Sequence, residues 1–482
     1  MVRTRVFRRS LTALAVGCAM LHAAAQAGPG PLRQPGSLVA LPGPQLLLSA
    51  AADDGAHGAE LWAVDPRDGS RRLVRDIHPG PLGSFPSGLT AWRGNVYFAA
   101  DDGVHGLEVW RSDGTESGTR RVADLRPGPD GSLPNGFVAF GDALYFSADD
   151  GRHGFELWRT QGTPETTELV ADIQSGAQGS MPRHLTVRGD ALLFSATDAE
   201  GGTELWRSDG SAQGTRRVLD IRADGDGAPE ALTVVDGTLF FTADDGRHGR
   251  ELWRSDGTAA GTRMVRDIRD GHDSALPRYL TKAGAWLYFS AHDGRHGIEL
   301  WRSDGSAEGT TMVADIRPGP LNALPSHLTA LGDRVVFAAY DERSGVEPWI
   351  SDGTAAGTRL LGDIHAGPNH SNAWAFARVG DRLVFAADDG RRGMELWQTR
   401  GVPQDVALLR DERAGAEGAF PRGVVALGEG VAFVAEAAGG GTYLALDPAP
   451  GLNCGSADSG IAGEAPGAAA CGAAVASSSA AR

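Results

Sequence analysis

The sequence predicts an all-β protein, a β-propeller of eight or nine four-stranded blades, and three observations lead to this fold class. A unit of about 48 residues recurs along most of the 482-residue chain. Each unit holds four short runs of β-branched and aromatic residues between turn-forming residues, and none is long enough for a helix. Four antiparallel strands in a unit of about 40 to 50 residues are typical of propeller blades. An open β-solenoid is the alternative, although its coils are usually shorter.

The motif Glu-x-Trp marks each unit. Successive copies are 48 residues apart, except for one step of 47. Residues 423–447 supply three more strands of an incomplete ninth unit, in which Tyr443 stands at the tryptophan position. The eight complete motifs are Glu60/Trp62, Glu108/Trp110, Glu156/Trp158, Glu204/Trp206, Glu251/Trp253, Glu299/Trp301, Glu347/Trp349 and Glu395/Trp397.

One unit illustrates the predicted strands. Residues 279–283, 286–291, 299–302 and 311–316 form the four apolar runs, and glycine-rich turns separate them. A Pro-Gly-Pro segment follows and breaks the sheet, because proline cannot donate a hydrogen bond to a strand ladder. We therefore expect each unit to be one small sheet.

The chain divides into four segments. Residues 1–27 resemble a signal peptide, with four arginines before an apolar stretch and the sequence Ala25-Gln26-Ala27 as the cleavage site. A membrane anchor is the alternative, but the apolar stretch is shorter than the roughly 20 residues that a spanning helix needs. Lipid attachment at Cys18 is a third interpretation. Residues 28–36 form a short linker, residues 37–447 the propeller, and residues 448–482 an Ala/Gly/Ser-rich tail that is too poor in large apolar residues to fold.

Export and charge limit the partners that we expect. Removal of residues 1–27 takes away four positive charges, so the formal charge changes from −16 to −20. Such an acidic surface repels nucleic acid and anionic lipid, and we expect a secreted or periplasmic monomer with no membrane span. Cys454 and Cys471 remain after cleavage, and either a disulfide between them or two free thiols fits an exported tail.

The repeated strings indicate a family. Glu251-Leu252-Trp253-Arg254-Ser255-Asp256-Gly257-Thr258 and its copies resemble the bacterial ELWxxDGT-repeat proteins, and the resemblance covers nearly all of residues 37–447. It implies an exported repeat protein of poorly defined role, without catalytic residues to carry over. Gln161 and Arg400 replace the aspartate in two units, and Pro348 replaces the leucine in a third.

The repeated tryptophans and glutamates have structural and functional interpretations. The tryptophans could offer flat faces to sugars, but one large aromatic residue per blade is expected to pack between neighbouring sheets. Each glutamate lies two residues earlier, on the same face of its strand, and a buried carboxylate there needs a backbone amide or an arginine as partner. Eight copies of one acid do not make a unique acid–base pair, so we predict no catalytic residues among them.

Aspartate-rich turns are the weak metal candidates. The Asp-Asp-Gly-x-His-Gly turns could hold calcium, which prefers several oxygen ligands, but their spacing is not that of an EF-hand. Local hydrogen bonds within the turn explain the same residues. We therefore predict no cofactor, with calcium as the alternative at Asp101, Asp102, Asp149, Asp150, Asp244 and Asp245.

The sequence supports three hypotheses about function. The first is an exported non-enzymatic scaffold, which binds a protein or glycan ligand through the variable loops of one propeller face. The second is a secreted hydrolase or lyase with a single polar site at the axis, which should appear as asymmetry among the units. The eighth unit is the most irregular, since we align Trp374 with the proline of the other units and find His365, His370 and Asn372 nearby. The third is a calcium-stabilised structural protein.

Overall fold

The computed structural model describes residues 38–41, 46–51, 56–66, 70–200, 202–428, 430–438 and 442–447. The predicted leader, linker, tail and cysteines lie outside the described residues. In the described residues the chain forms nine antiparallel sheets, and a single 3₁₀ turn at Pro164–Thr166 is the only helical segment. None of the described residues form a helix that is long and apolar enough to cross a bilayer.

The first strand of every sheet lies innermost. These strands are β1 (Leu38–Ala40), β5 (Ser87–Trp92), β9 (Asn135–Phe140), β13 (Arg183–Arg188), β17 (Glu230–Val235), β21 (Arg278–Ala283), β25 (Ser326–Leu331), β29 (Trp374–Val379) and β33 (Arg422–Leu427). The second strands are β2 (Leu46–Ala51), β6 (Asn95–Asp101), β10 (Ala143–Asp149), β14 (Ala191–Asp198), β18 (Thr238–Asp244), β22 (Trp286–His292), β26 (Arg334–Asp341), β30 (Arg382–Asp388) and β34 (Gly430–Glu436).

Each sheet continues outward by antiparallel pairing of consecutive strands. The third strands are β3 (Ala59–Val64), β7 (Leu107–Ser112), β11 (Phe155–Thr160), β15 (Gly202–Ser208), β19 (Arg250–Ser255), β23 (Ile298–Ser303), β27 (Gly345–Ser351), β31 (Met394–Thr399) and β35 (Thr442–Asp447). Eight sheets add a fourth, outermost strand: β4 (Arg71–Arg75), β8 (Arg120–Arg121), β12 (Glu168–Ala171), β16 (Arg216–Leu219), β20 (Arg263–Arg266), β24 (Thr311–Ala314), β28 (Arg359–Leu360) and β32 (Ala407–Arg410).

The nine sheets close into a ring. Each first strand contacts the first strands of both neighbouring sheets, and β1 contacts both β5 and β33. Trp62 of the first sheet packs against Ala432 and Leu446 of the ninth, which seals the junction. The β-propeller prediction is therefore confirmed, with eight four-stranded blades and a three-stranded ninth sheet, and the open solenoid is wrong.

The core is a series of layers between neighbouring blades. Ile268 of blade five packs with Phe289 and Trp301 of blade six, and Phe289 is completely buried. Removal of such a side chain typically costs about 3–5 kcal/mol, because both the buried area and the packing are lost. Each blade therefore depends on its neighbours to shield the apolar faces of its sheet from solvent.

The structure confirms the predicted strand bounds of one blade and corrects the predicted alignment of the ninth sheet. In blade six the predicted runs match β21 to β24 to within one or two residues at each end. In the ninth sheet Tyr443 pairs with Ala435, as Glu395 pairs with Ala387, whereas Ala445 pairs with Phe433, as Trp397 pairs with Phe385. Tyr443 thus occupies the glutamate position, and Ala445 occupies the tryptophan position.

Candidate functional site

One face of the ring carries both the turns between second and third strands and the connections that lead to the next blade. The repeated glutamate joins these two segments. In blade one, Glu60 is completely buried and accepts hydrogen bonds from the backbone N–H groups of Ile77 (3.1 Å), His78 (3.0 Å) and Ser84 (2.9 Å). The same sequence separations recur in the other blades, for example from Ile268 and Ala275 to Glu251, except that the last separation is 23 residues in blade four.

Burial is the main influence on the pKa of these glutamates. Loss of solvent raises the pKa of every one of them, to about 8 for Glu251 and Glu299, even though the backbone N–H groups favour the charged form. The eight are completely buried and lie in separate blades. Their geometry is that of a structural clamp on the connection between blades.

The repeated tryptophans lie between the blades. Trp110, for example, packs with Val74 and Ile77 of the preceding blade. Six of the eight are buried, and Trp349 and Trp397 are half-buried within similar clusters. This packing leaves them without the open face that a sugar platform needs.

Trp158 and Trp206 show the same packing in blades three and four. Each is 8% exposed, and each packs against a valine of the preceding blade, Val122 for Trp158 and Val170 for Trp206. Their indole N–H groups have no hydrogen-bond partner among the described residues. The interpretation of Trp158 and Trp206 as platforms for sugars is therefore wrong, because their rings are covered by the neighbouring blade.

The aspartates of the calcium candidates serve their own turns. Asp102 accepts bonds from the backbone of Val104 (3.0 Å) and His105 (2.9 Å), and its second oxygen lies 2.8 Å from Nδ1 of His105. Burial works to raise the pKa of Asp102, but these hydrogen bonds outweigh it and lower the pKa. Asp150 and Asp245 bond in the same way with His153 and His248. Asp101, Asp149 and Asp244 each accept a bond from a glycine of the turn.

No metal centre emerges from this face. Over the described residues, no group of three or more His, Cys, Asp or Glu side chains is placed to hold a metal ion. The calcium alternative stays a prediction without a geometric site.

The innermost strands form a second repeated feature, which we call the axial ring. The second residue of each first strand in blades two to nine has a left-handed backbone, with φ between 54° and 69°. Three blades use glycine here, which adopts this conformation without strain, and five do not. The axial ring consists of Gly88, Gly136, His184, Ala231, Tyr279, His327, Ala375 and Gly423.

Two residues of the axial ring meet across a blade boundary. The rings of Tyr279 and His327 lie 5.7 Å apart between centroids, at 48° to each other. Both side chains are exposed, yet partial burial lowers the pKa of His327 below its ordinary value of 6.5. In both blades a threonine two residues later donates to the carbonyl of the left-handed residue, at 2.8 Å from Thr281 and 3.0 Å from Thr329.

Charged residues begin the neighbouring first strands. Arg183 and Arg278 precede His184 and Tyr279, and both side chains are exposed. Glu230, in the blade between them, lies 3.7 Å from Arg250 of its own blade. Blades four to seven therefore carry polar or charged side chains in the axial ring or directly beside it, whereas the ring residues of blades two and three are Gly88 and Gly136.

Apolar side chains surround the axial ring on the same face. They precede the first strands by two residues, are 40–62% exposed, and also have left-handed backbones. We call them the apolar rim: Phe85, Leu133, Met181, Leu276, Leu324 and Phe420. Their backbone N–H groups bond to the third strands, as Phe85 does to the carbonyl of Ala59 at 2.9 Å.

The irregular eighth blade is not the centre of this arrangement. Trp374 pairs with Ala386 as Ser326 pairs with Ala338, so Ala373, and not Trp374, takes the place of the proline. His370 accepts a bond from the backbone of Val346 at 2.9 Å through Nδ1, and its ring lies 5.7 Å from that of Tyr340. His370 thus has local structural partners.

Sequence reasoning missed Tyr279 and His327. It recognised residue 279 only as the start of a strand. The signal was present in the repeat, because Gly88, Gly136 and Gly423 stand at the equivalent positions. When some aligned units have glycine and others have His or Tyr at one position, the backbone there is expected to be left-handed. A side chain at such a position costs conformational energy.

Comparison with known proteins gives remote similarities only. No protein-family model matches the chain, and no curated protein matches it. Solved structures with a similar arrangement include a puromycin hydrolase, with 16% identity and a TM-score of 0.39 over 75% of this chain and 59% of that one. A prolyl endopeptidase has 12% identity and a TM-score of 0.40 over 75% and 55% of the two chains. The Niastella koreensis GH74 enzyme has 11% identity and a TM-score of 0.35 over 89% and 72%.

These similarities bear on the expected non-enzymatic scaffold, but they do not assign the activity of any known protein to this chain. The chain spans a little over half the length of the puromycin hydrolase and of the prolyl endopeptidase. The three solved structures named above are those of enzymes, unlike the non-enzymatic scaffold that the sequence first indicated, and that first hypothesis is not retained. At such identities the likeness concerns the fold, and the activities of those proteins are not carried over to this chain.

Proposed function

We propose that this protein is an enzyme, a hydrolase or a lyase, with a single acid–base site on the axial ring at Tyr279 and His327. One observation carries the proposal. Two titratable side chains on neighbouring blades are in contact, and both residues hold a backbone conformation for which three other blades use glycine.

The backbone strain supports a role for the side chains. A left-handed conformation costs a residue other than glycine about 1–2 kcal/mol, and such strain is concentrated at functional sites. Glycine at positions 279 and 327 would remove this cost. Ala231 and Ala375 show that the backbone tolerates a plain Cβ here, so the ring does not require large side chains for its own packing.

The pair can perform proton transfer at neutral pH. Because its pKa is lowered, His327 is largely neutral at pH 7 and its imidazole can accept a proton. The phenol of Tyr279 can donate one. Hydrolysis and β-elimination both require a general base and a general acid close together, and His327 and Tyr279 would supply them.

The surroundings suggest the kind of substrate. Leu276 and Leu324 of the apolar rim precede the two site residues by three positions, and Arg278 lies directly beside Tyr279 in the chain. A ligand with an apolar portion and an anionic group fits this combination. We further propose that the reaction takes place outside the cytoplasm, which is what the predicted leader would imply.

The test compares three variants on a panel of ester, peptide and acidic glycan substrates. We expect His327→Ala and Tyr279→Phe to lower kcat/KM by at least about 100-fold, the lower range for loss of an acid or base. His184→Ala is the matched control, since His184 has the same backbone conformation while its ring neighbours are Gly136 and Ala231. It should keep full activity.

The pH profile separates catalysis from a structural effect. The acid limb of kcat/KM should follow the protonation of His327 and lie below pH 6.5, and it should disappear in His327→Ala. Turnover that is equal in all three variants, or no turnover of any substrate class by the folded protein, contradicts the proposal.

A further inference from the structure

The ninth sheet differs from the other eight at its outer edge. It has three strands, so β35 has only β34 as a neighbour among the described residues. In the other blades the third strand is covered by a fourth. In blade two the N–H of Val122 bonds to the carbonyl of Val109 at 2.7 Å, and in blade seven Leu361 bonds to Pro348 at 2.8 Å. Leu444 occupies the equivalent place in β35 and has no such strand beside it in the described chain.

The sequence of β35 is unlike that of the other outer edges. The fourth strands have two to five residues, and six of the eight contain arginine. Short, charged edge strands resist pairing with other chains. β35 has six residues, Thr-Tyr-Leu-Ala-Leu-Asp, and its only charge is Asp447 at the end. A long and largely apolar edge is a template for strand addition.

The edge is partly held by its own blade and its neighbour. Arg410 of blade eight donates to the carbonyl of Leu446 at 2.7 Å, and the hydroxyl of Tyr443 donates to Glu412 at 3.0 Å. Glu412 stands where the other blades have isoleucine or leucine, and Arg410 also lies 2.6 Å from it. These contacts fix the strand in place and leave the backbone of Leu444 as the centre of the open edge.

The molecule itself shows which strand fits such an edge. In each of the eight four-stranded blades one Val or Leu, in the fourth strand or directly after it, packs against the neighbouring blade, and six of the eight fourth strands contain arginine. Val265 is 6% exposed and packs with Leu287 of the next blade, between the exposed residues Arg263 and Arg266. The pairing is antiparallel, with Leu252 opposite Arg266. The equivalent residues are Val74, Val122, Val170, Val218, Val313, Leu361 and Leu409.

We infer that β35 is a strand-addition site for an extended segment of another polypeptide, in which a valine or leucine lies between basic residues. The overall charge favours this occupant, because the chain carries a formal charge of −16, although Asp447 at the end of the edge already lies 4.0 Å from Arg410. A second copy could offer only its own β35 as an open outer edge among the described strands, and that strand contains no basic residue, so it does not match the pattern of the fourth strands. The inference is independent of the proposed acid–base site.

The probe is a fluorescent peptide with the sequence of residues 261–269, one of the chain's own fourth strands. We expect saturable binding to the full-length protein by anisotropy. The same peptide with Val265→Asp should bind at least tenfold more weakly, because the buried contact is replaced by a charge. Binding should weaken with salt, since the contacts are partly electrostatic.

A protein variant locates the site. Leu446→Pro removes an outward N–H at the position equivalent to Arg254, which pairs with Arg263 of the fourth strand in blade five. Proline is tolerated on an edge strand, so the fold should persist. The variant should bind the peptide at least tenfold more weakly. Arg422→Ala, on the innermost strand of the same sheet, is the control and should bind normally. Equal binding by Leu446→Pro, or no binding by the folded full-length protein, overturns the inference.

Hydrogen exchange distinguishes the other occupants. The amide of Leu444 should exchange rapidly in the protein alone and become protected when the peptide is added. Protection without peptide, at a concentration where the protein is monomeric, would mean that the chain covers its own edge. Protection that follows self-association would mean that a second copy does. Either result overturns the inference.

Discussion

At the scale of single residues, the buried glutamates show how one side chain can fix a long connection. Glu251 is completely buried and accepts bonds from the backbone N–H groups of Ile268 (3.0 Å), Arg269 (3.4 Å) and Ala275 (3.0 Å). Each of these groups would otherwise be left without an acceptor in the interior. The carboxylate thus determines how the chain leaves one blade and enters the next.

Substitution of Glu251 tests this role. We expect Glu251→Ala to lower the free energy of unfolding by about 2–4 kcal/mol, because two or three buried N–H groups lose their acceptor. Chemical denaturation measures the change. Glu308→Ala removes an exposed glutamate and should change the stability by less than about 0.5 kcal/mol. A similar small loss in both variants would show that the clamp contributes little.

The sequence indicated this clamp only in part. Its spacing predicted a buried carboxylate with a backbone amide or an arginine as partner. The structure shows backbone amides 17, 18 and 24 residues further along, for example at Ile77, His78 and Ser84 for Glu60. That choice depends on how the connection folds back over the third strand, which no local pattern encodes.

At the scale of elements, the close approach of a turn and a connection explains a pair of glycines in four of the eight units. In blade three the turn at Gly154 lies against the connection at Gly179. A Cβ added to Gly154 would lie 2.5 Å from the backbone nitrogen of Gly179, and one added to Gly179 would lie 2.4 Å from that of Phe155. Neither contact is possible without a backbone shift.

Alanine should therefore destabilise the protein more at a glycine that lies against the connection than at a glycine with open space around it. Gly154 and Gly176 both have positive φ, but a Cβ on Gly176 meets nothing within 4 Å. Gly154→Ala should cost about 1–3 kcal/mol more than Gly176→Ala, because overpacking is added to the same backbone strain. Thermal unfolding of the two variants measures the difference. Equal midpoints would mean that the connection moves away freely.

For the axial ring, the strand bounds could be predicted from the sequence, but the backbone conformation and the contacts of its residues could not. The bounds of β21 were predicted to within one residue, since its apolar run is clear. The left-handed φ of Tyr279 was not predicted, because nothing in a tyrosine signals that conformation. Only comparison with Gly88 and Gly136 in the other units shows it, and only the structure brings Tyr279 into contact with His327.

At the scale of the whole molecule, closure decides the architecture. The repeat predicted eight or nine blades, since the last unit is incomplete in sequence. The structure includes the three-stranded sheet in the ring, because Leu444 and Leu446 of that sheet pack in one cluster with Trp62 and Val64 of blade one. The count could not be predicted, because it depends on the angle between neighbouring blades, which is summed around the ring.

Closure also repeats each titrating group around the ring, so that small effects of one sign add. Burial raises the pKa of the repeated glutamates, to about 8 for Glu251 and Glu299 and to about 7 for Glu204. Hydrogen bonds to neighbouring aspartates raise the pKa of His153 and His248. For both residue types the folded state holds its protons more tightly than the unfolded state.

Stability should therefore fall as the pH rises through neutrality. A group whose pKa is raised by folding stabilises the protein below its unfolded pKa, and this contribution is lost as the pH passes the folded value. The turn aspartates, such as Asp245, have lowered pKa values and act in the opposite direction, but only below about pH 4. We expect the highest midpoint of thermal unfolding near pH 5, with a loss of several degrees by pH 9. Glu251→Gln cannot ionise and should show a shallower decline, whereas a midpoint that is constant from pH 5 to pH 9 would mean that the backbone N–H groups fully offset the burial of the carboxylates.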